Sequence, residues 1–80
     1  MKAHIHVTLK KGVLDPEGKA IGNALGSLGF AGVDNVRKGK YITLDLDETN
    51  EDQARKTLTQ MCEKLLANTV IEDFDIKLEA

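Results

Sequence analysis

The sequence predicts one two-layer α+β domain with the element order β-α-β-β-α-β. Four strands would form a mainly antiparallel sheet, and two helices would cover one of its faces. Segments in which apolar and polar residues alternate stand at the start, middle and end of the chain, and two segments with helical spacing lie between them. A length of 80 residues leaves room for a single domain over residues 1–80.

The first strand is predicted over residues 2–10. Ala3, Ile5, Val7 and Leu9 share one face, because side chains alternate along a strand, and the residues between them are polar. This pattern indicates a half-buried strand.

The first helix is predicted over residues 16–28. Asp15 can cap it, since a carboxylate accepts hydrogen bonds from the free amides of the first turn, and Pro16 needs no donor at the first position. Gly29 suits the residue after a helix, where positive φ is common. The apolar residues form one stripe: Ala20, Ile21, Ala24, Leu25 and Leu28.

Two further strands are predicted at residues 33–38 and 41–46, joined by a tight hairpin at Gly39. The later segment alternates cleanly. Val33 and Val36 are out of phase, which favours a bulge or a short edge strand in the earlier one.

The second helix is predicted to have Asn50 as its N-cap, with Gln53 as capping partner. A frame in which Thr49 is the N-cap and Asp52 its partner is equally possible. Its apolar stripe consists of Ala54, Leu58, Met61, Cys62 and Leu65. Asn68 is expected to end the helix in the left-handed region, before a last strand at 70–78.

This order favours a ferredoxin-like plan, in which one face of the sheet carries no helix. That face is either solvated or covered by a second copy of the chain, and the small core favours a partner. Its residues would be His4, His6, Thr8, Tyr41, Thr43, Asp45, Asp73, Asp75 and Lys77.

Composition excludes several classes of protein. The chain has 11 basic and 13 acidic residues, a formal net charge of −2 and 4% aromatic residues, whereas a nucleic-acid binder would show a basic face and more aromatic residues. One cysteine and two histidines allow neither a disulfide nor a cysteine-rich zinc site. No apolar run resembles a secretory signal or a membrane span, so we expect a cytoplasmic protein.

The histidines and the cysteine are the first candidates for chemistry. His4 and His6 point the same way on a strand and could bind a metal together with Asp45 or Asp75, but two polar residues on a solvated face is the favoured interpretation. Cys62 lies in an apolar stripe and is expected to pack in the core, since a nucleophile needs exposure. We therefore predict no metal site and no catalytic residue.

Three glycines line one side of the first helix. Gly18, Gly22 and Gly26 are four residues apart and lie inside the helix, unlike the glycines of a phosphate-binding loop. Each interior glycine costs roughly 1 kcal/mol relative to alanine. Either this side of the helix contacts another protein, or the glycines arose by neutral substitution and have no function. We take all three as candidate interface residues.

Basic residues surround the predicted hairpin tip. Arg37, Lys38 and Lys40 could contact a phosphate or an acidic partner, although an exposed tip of this kind often serves solubility alone. We take these three as further candidate interface residues.

Several stretches together carry a resemblance to a known family. They are residues 7–18 (VTLKKGVLDPEG), 36–42 (VRKGKYI) and 70–74 (VIEDF), with the Ala-Ile, Ala-Leu and Leu-Gly pairs of the first helix. Through these stretches the sequence resembles the PurS family, the small subunit of phosphoribosylformylglycinamidine (FGAM) synthase, and the resemblance extends over nearly the whole chain. Gly22 and Gly26 are not typical of that family.

The resemblance implies a non-catalytic subunit of a purine-biosynthesis ligase. In the family's complex, the glutaminase PurQ releases ammonia from glutamine. PurL, which uses ATP and Mg, phosphorylates the amide oxygen of formylglycinamide ribonucleotide (FGAR), and ammonia then displaces phosphate to give FGAM. The small subunit bridges PurL and PurQ as a homodimer or a dimer of dimers and assists ammonia transfer. It binds no cofactor, nucleic acid or membrane and has no active site of its own.

Two other classes share the predicted element order. An ACT-like regulatory module would bind a small molecule near a glycine after the first strand, where Gly12 stands. An acylphosphatase-like hydrolase would need an arginine in the loop before the first helix, and residues 11–15 contain none. The ACT-like module is therefore the alternative function.

Overall fold

The computed structural model describes residues 1–80, which form three strands, two α-helices and one π-helical turn. The strands are β1 (Lys2–Leu9), β2 (Gly39–Asp45) and β3 (Glu72–Glu79). The helices are α1 (Pro16–Ser27) and α2 (Glu51–Met61), and α2 continues into the π-helical turn Cys62–Leu66. Neither helix has the length and apolar composition needed to cross a bilayer.

The sheet has three antiparallel strands in the order β2-β1-β3, so the prediction of four strands was wrong. Residues 33–38 pair with no strand, and Gly39 begins β2 instead of closing a hairpin. A Cβ at Gly39 would lie 2.7 Å from the carbonyl oxygen of Val7. This glycine therefore serves the close approach of β1 and β2 and not a tight turn.

Residues 33–38 run beside α1 because Asp15, the N-cap of α1, binds the backbone amide of Lys38. In a fourth strand that amide would be needed for a hydrogen bond to the neighbouring strand. Asp15 Oδ2 accepts from the Lys38 amide at 2.7 Å, while Asp15 Oδ1 accepts from the Gly18 amide at 2.8 Å. Val33 and Val36 also lack the alternation that would place both of them on one face of a sheet.

The helix ends follow the predicted capping signals with one exception. Asp15 caps α1, and Gly29 ends it with a φ of 95°. Asn50 Oδ1 accepts from an amide of the first turn of α2 at 3.0 Å, so the Asn50 frame is confirmed. The left-handed conformation predicted for Asn68 was wrong, because its carbonyl accepts two amides of the turn that leads into β3.

The core lies between the inner face of the sheet and α2. Ile5 and Val7 of β1 are fully buried, and so are Ala54 and Leu58 of α2. Only nine of the 80 residues are buried, which is a small core for this length. The inward residues of the two edge strands are half-buried: Ile42, Leu44, Phe74, Ile76 and Leu78.

Helix α1 makes no extensive packing contact with the sheet, which corrects the prediction that both helices cover one face. Its Ile21 and Leu28 side chains are 42% and 73% exposed. The molecule measures 48 × 26 × 15 Å. Its radius of gyration is 15.9 Å, compared with about 12 Å for a compact domain of this length. The chain is therefore a small two-layer body with α1 extending from it.

Candidate functional site

Asp15 joins the start of α1 to the segment that precedes β2. It is 6% exposed, and its two carboxylate oxygens accept from the amides of Gly18 and Lys38. The hydrogen bond from the Lys38 amide, followed by that from the Gly18 amide, holds the pKa of Asp15 below its ordinary value. The carboxylate therefore stays ionised and keeps both segments together.

The three candidate glycines of α1 have different surroundings. A Cβ at Gly18 would collide with the carbonyl oxygen of Val36, and one at Gly22 would lie 3.5 Å from Cγ2 of Val36. A Cβ at Gly26 would meet nothing within 4 Å. The close approach of residues 33–38 therefore explains why position 18 is a glycine. Contact of this side of α1 with another protein stays a prediction.

Arg37 does not point away from the molecule as an unpaired cation. Its Nη2 atom donates to the carbonyl oxygens of Lys10 at 3.0 Å and Val13 at 2.8 Å. The guanidinium therefore fixes the loop between β1 and α1.

The other two basic candidates also have partners in the chain. Lys38 forms an ion pair with Glu17 in the first turn of α1, and the hydrogen bond to Glu17 raises the pKa of Lys38. Lys40 Nζ lies 3.9 Å from Glu72 Oε2 on β3. Their contact with a partner protein stays a prediction, and both residues are exposed enough to make one.

A polar network occupies the sheet face that carries no helix. His4 Nδ1 lies 2.5 Å from the Tyr41 hydroxyl and His4 Nε2 lies 2.8 Å from Glu79 Oε2, while His6 stacks on Tyr41 with ring centroids 4.6 Å apart. The hydrogen bond from His4 lowers the pKa of Glu79. No three His, Cys, Asp or Glu side chains lie close enough together to hold a metal ion. Sequence reasoning missed this network because Glu79 lay beyond the predicted last strand.

Cys62 packs in the core, as predicted. Its side chain is fully buried, and burial raises the pKa of the thiol. A buried protonated thiol is a poor nucleophile, so Cys62 contributes packing and not chemistry.

An apolar groove of about 380 Å³ lies beside α2. It is lined by Leu44 of β2 and by Met61, Leu65 and Leu66. Leu65 is 83% exposed, although the helical stripe placed it in the core. The groove and the uncovered face of α1 are surfaces suited to recognition of another protein.

Comparison with known proteins gives a consistent result. Residues 2–80 match the family model described as PurS, phosphoribosylformylglycinamidine (FGAM) synthase. The PurS subunit of Methanocaldococcus jannaschii is 46% identical over 98% of this chain and 94% of its own length. The PurS subunit of Mycobacterium leprae is 47% identical over 99% of this chain and 96% of its own length.

Solved structures of the same family have a similar fold. Bacillus subtilis PurS superposes with a TM-score of 0.89 at 44% identity, covering 99% of this chain and 98% of that one. A chain of PurLQS from Thermotoga maritima superposes with a TM-score of 0.87 at 32% identity, covering 95% of this chain and 93% of that one.

Proposed function

This chain belongs to the PurS family of FGAM synthase subunits, and from that membership we propose that it is the non-catalytic adaptor that holds PurL and PurQ together and assists ammonia transfer. The observation that carries the proposal is the likeness, over nearly the whole chain, to a chain of PurLQS from Thermotoga maritima. As a subunit it would act in the cytoplasm, as a homodimer or dimer of dimers.

The proposed reaction of the complex explains why such an adaptor is needed. PurQ would release ammonia from glutamine, and PurL would use ATP and Mg to activate the amide oxygen of FGAR. Free ammonia is mostly protonated at neutral pH, and the ammonium ion is not a nucleophile. Two active sites held at a fixed distance, with water excluded between them, would preserve ammonia during transfer.

The structure is suited to this role and less suited to the ACT-like alternative. Exposed apolar surfaces on α1 and beside α2 favour a protein that works in contact with others. The ACT-like interpretation relied on a β-α-β-β-α-β order, and this chain has one strand fewer.

Reconstitution with PurL and PurQ tests the proposal. We expect the tagged chain to retain both proteins in the presence of glutamine and ADP. We also expect FGAM formation from glutamine to need the chain, and formation from added ammonium salt by PurL to need it much less. An equal glutamine-dependent rate without the chain, together with no retention of PurL or PurQ, would contradict the adaptor function.

A further inference from the structure

The sheet face without a helix carries the only tyrosine of the chain, next to a histidine. The hydroxyl of Tyr41, on β2, lies 2.5 Å from Nδ1 of His4, on β1. The other ring nitrogen of His4, Nε2, lies 2.8 Å from the Glu79 carboxylate, on β3. Side chains from three neighbouring strands therefore form one continuous chain of hydrogen bonds, which the adaptor function does not use.

The direction of these hydrogen bonds follows from the charge of Glu79. The hydrogen bond from His4 lowers the pKa of Glu79, so this carboxylate is ionised and can only accept. The proton between them is therefore on Nε2 of His4. In the neutral imidazole, Nδ1 then has a free lone pair, to which the Tyr41 hydroxyl donates. His4 is thus placed to take the phenolic proton, while Glu79 holds the ring in the required tautomer.

The phenol is both accessible and fixed in position. Tyr41 is 58% exposed, so a reagent in solution can reach its hydroxyl. The ring of His6 stacks on it with centroids 4.6 Å apart and an angle of 19° between the planes, which restricts its motion. A hydroxyl bonded to a base that a carboxylate orients is the arrangement that activates a nucleophile.

We propose that Tyr41 is a site of covalent acylation, at which a neutral activated ester or acyl imidazole transfers its acyl group to the phenolic oxygen. The oxygen attacks the carbonyl carbon of the donor, and the hydroxyl proton moves to Nδ1 of His4. The bond from the carbonyl carbon to the leaving group then breaks, and that group departs with the electron pair. It takes the proton back from His4, and an acyl ester of Tyr41 remains.

The charges on this face determine which donors are suitable. Besides Tyr41 and the two histidines, the strand register places four carboxylates and two ammonium groups there: Asp45, Asp73, Asp75, Glu79, Lys2 and Lys77. The excess of negative charge repels anionic donors such as acyl phosphates. Neutral donors should therefore react better than anionic ones.

Acetylation of the full-length chain by N-acetylimidazole tests the site, with N-acetyltyrosinamide in the same tube as reference. We expect Tyr41 to react ~30-fold faster than the reference at about pH 7, and this ratio to be smaller with acetyl phosphate. Peptide mass spectrometry locates the acetyl group, and release by hydroxylamine distinguishes the tyrosine ester from lysine amides. A ratio near one, or acetylation only at histidines and lysines, would overturn the proposal.

Two matched histidine variants separate the base from the stacking partner. His4→Phe and His6→Phe each keep a flat ring beside Tyr41 and remove the ring nitrogens. We expect the rate of His4→Phe to fall to within ~3-fold of the reference, and that of His6→Phe to stay within ~2-fold of the unmodified chain. Circular dichroism checks that both variants fold. Equal rates for the two variants would overturn the assignment of His4.

The pH profile of the unmodified chain distinguishes a base from a merely structural histidine. Acetylation without a base needs the phenolate, so its rate rises ~10-fold from about pH 7 to about pH 8. With His4 as base the neutral phenol reacts, and the rate should change by less than ~3-fold over the same interval. A ~10-fold rise in the unmodified chain would overturn the role of His4.

Glu79 is a positioning residue in this proposal, because it acts on Tyr41 through His4. Glu79→Gln keeps an oxygen for the Nε2 proton but lacks the charge. We expect it to lower the rate by ~5-fold at about pH 7 and to leave the shallow pH profile in place. An unchanged rate would remove Glu79 from the site.

Discussion

Asp15 determines where α1 lies, because its two carboxylate oxygens bind two different segments. Its role as a helix cap was predictable, since Asp followed by Pro is a local signal. Its hydrogen bond to the Lys38 amide was not, because that partner lies 23 residues further along the chain and backbone amides carry no sequence signature.

Substitution of Asp15 separates its two roles. Asp15→Asn keeps an acceptor for the Gly18 amide but presents an NH₂ group to the Lys38 amide, whereas Asp15→Ala removes both acceptors. We expect Tm to fall by ~5 °C for Asp15→Asn and by ~10 °C for Asp15→Ala. Melting curves recorded by circular dichroism measure both shifts. An unchanged Tm for Asp15→Asn would contradict the hydrogen bond from the Lys38 amide, and equal falls for the two variants would contradict the one from the Gly18 amide.

The same residue predicts a pH dependence of stability. The amides of Lys38 and Gly18 lower the pKa of Asp15 below 3.8 in the folded chain. A lowered folded-state pKa means that the stabilisation is present above the unfolded value and is lost as the pH falls through the folded-state value. The difference in urea midpoint between the unmodified chain and Asp15→Asn should therefore be constant from about pH 5 to about pH 7 and shrink below about pH 3.5. A difference that does not shrink as the pH falls below about 3.5 would contradict this.

The glycines of α1 provide a matched pair of substitutions. Gly26→Ala should stabilise the chain by ~0.5–1 kcal/mol, because its Cβ meets nothing and alanine favours a helix. Gly18→Ala should destabilise it by ~1–3 kcal/mol, because its Cβ would collide with the Val36 carbonyl oxygen. Urea unfolding measures both, and a stabilising Gly18→Ala would mean that residues 33–38 can move away from α1.

At the scale of elements, the loop before α1 depends on Arg37. Its guanidinium bonds the carbonyl oxygens of Lys10 and Val13, and the Val13 amide bonds Lys10. We expect Arg37→Ala to speed hydrogen exchange of the Val13 amide by ~5-fold, since about 1 kcal/mol of local stability is lost. Arg55→Ala, which removes a bond to the Ile76 carbonyl, is the control and should leave Val13 unchanged.

The end of α2 shows where helical periodicity fails. The stripe correctly placed Leu58 and Cys62 in the core but also predicted Leu65 there. In the structure the Ala67 amide bonds to the Cys62 carbonyl, five residues back, at 2.9 Å. The wider turn brings Leu66 and Ala67 inward and directs Leu65 to solvent. Because these residues are compatible with either turn, their spacing could not reveal the change.

At the scale of the whole molecule, the sequence was informative about each element and less so about their arrangement. The inward side of β1, the start of α1 and the buried stripe of α2 were predictable from alternation, caps and spacing. The missing strand and the displaced helix were not, because both depend on long-range contacts at Asp15 and Arg37. The candidate interface residues could be recognised from patterns in the sequence. The groove beside α2 could not, because it depends on a π-helical turn that the sequence pattern does not reveal.

The small core predicts a melting temperature that depends on concentration. If two copies cover each other's apolar surfaces, Tm should rise by ~5 °C between about 5 µM and about 200 µM chain, because association stabilises the folded state. Scanning calorimetry measures this shift. If the Tm of the unmodified chain does not change with concentration, the core of a single chain is enough to stabilise the fold without association.

The double hydrogen bond of Asp15 has a consequence for the speed of assembly. Since α1 is already formed and already oriented before any encounter, a binding partner does not have to wait for a disordered segment to become ordered. The entropy of fixing that helix is lost during folding and not during docking. Association should then be governed by collision and orientation of two preformed bodies, with a rate that is insensitive to agents that favour helix formation.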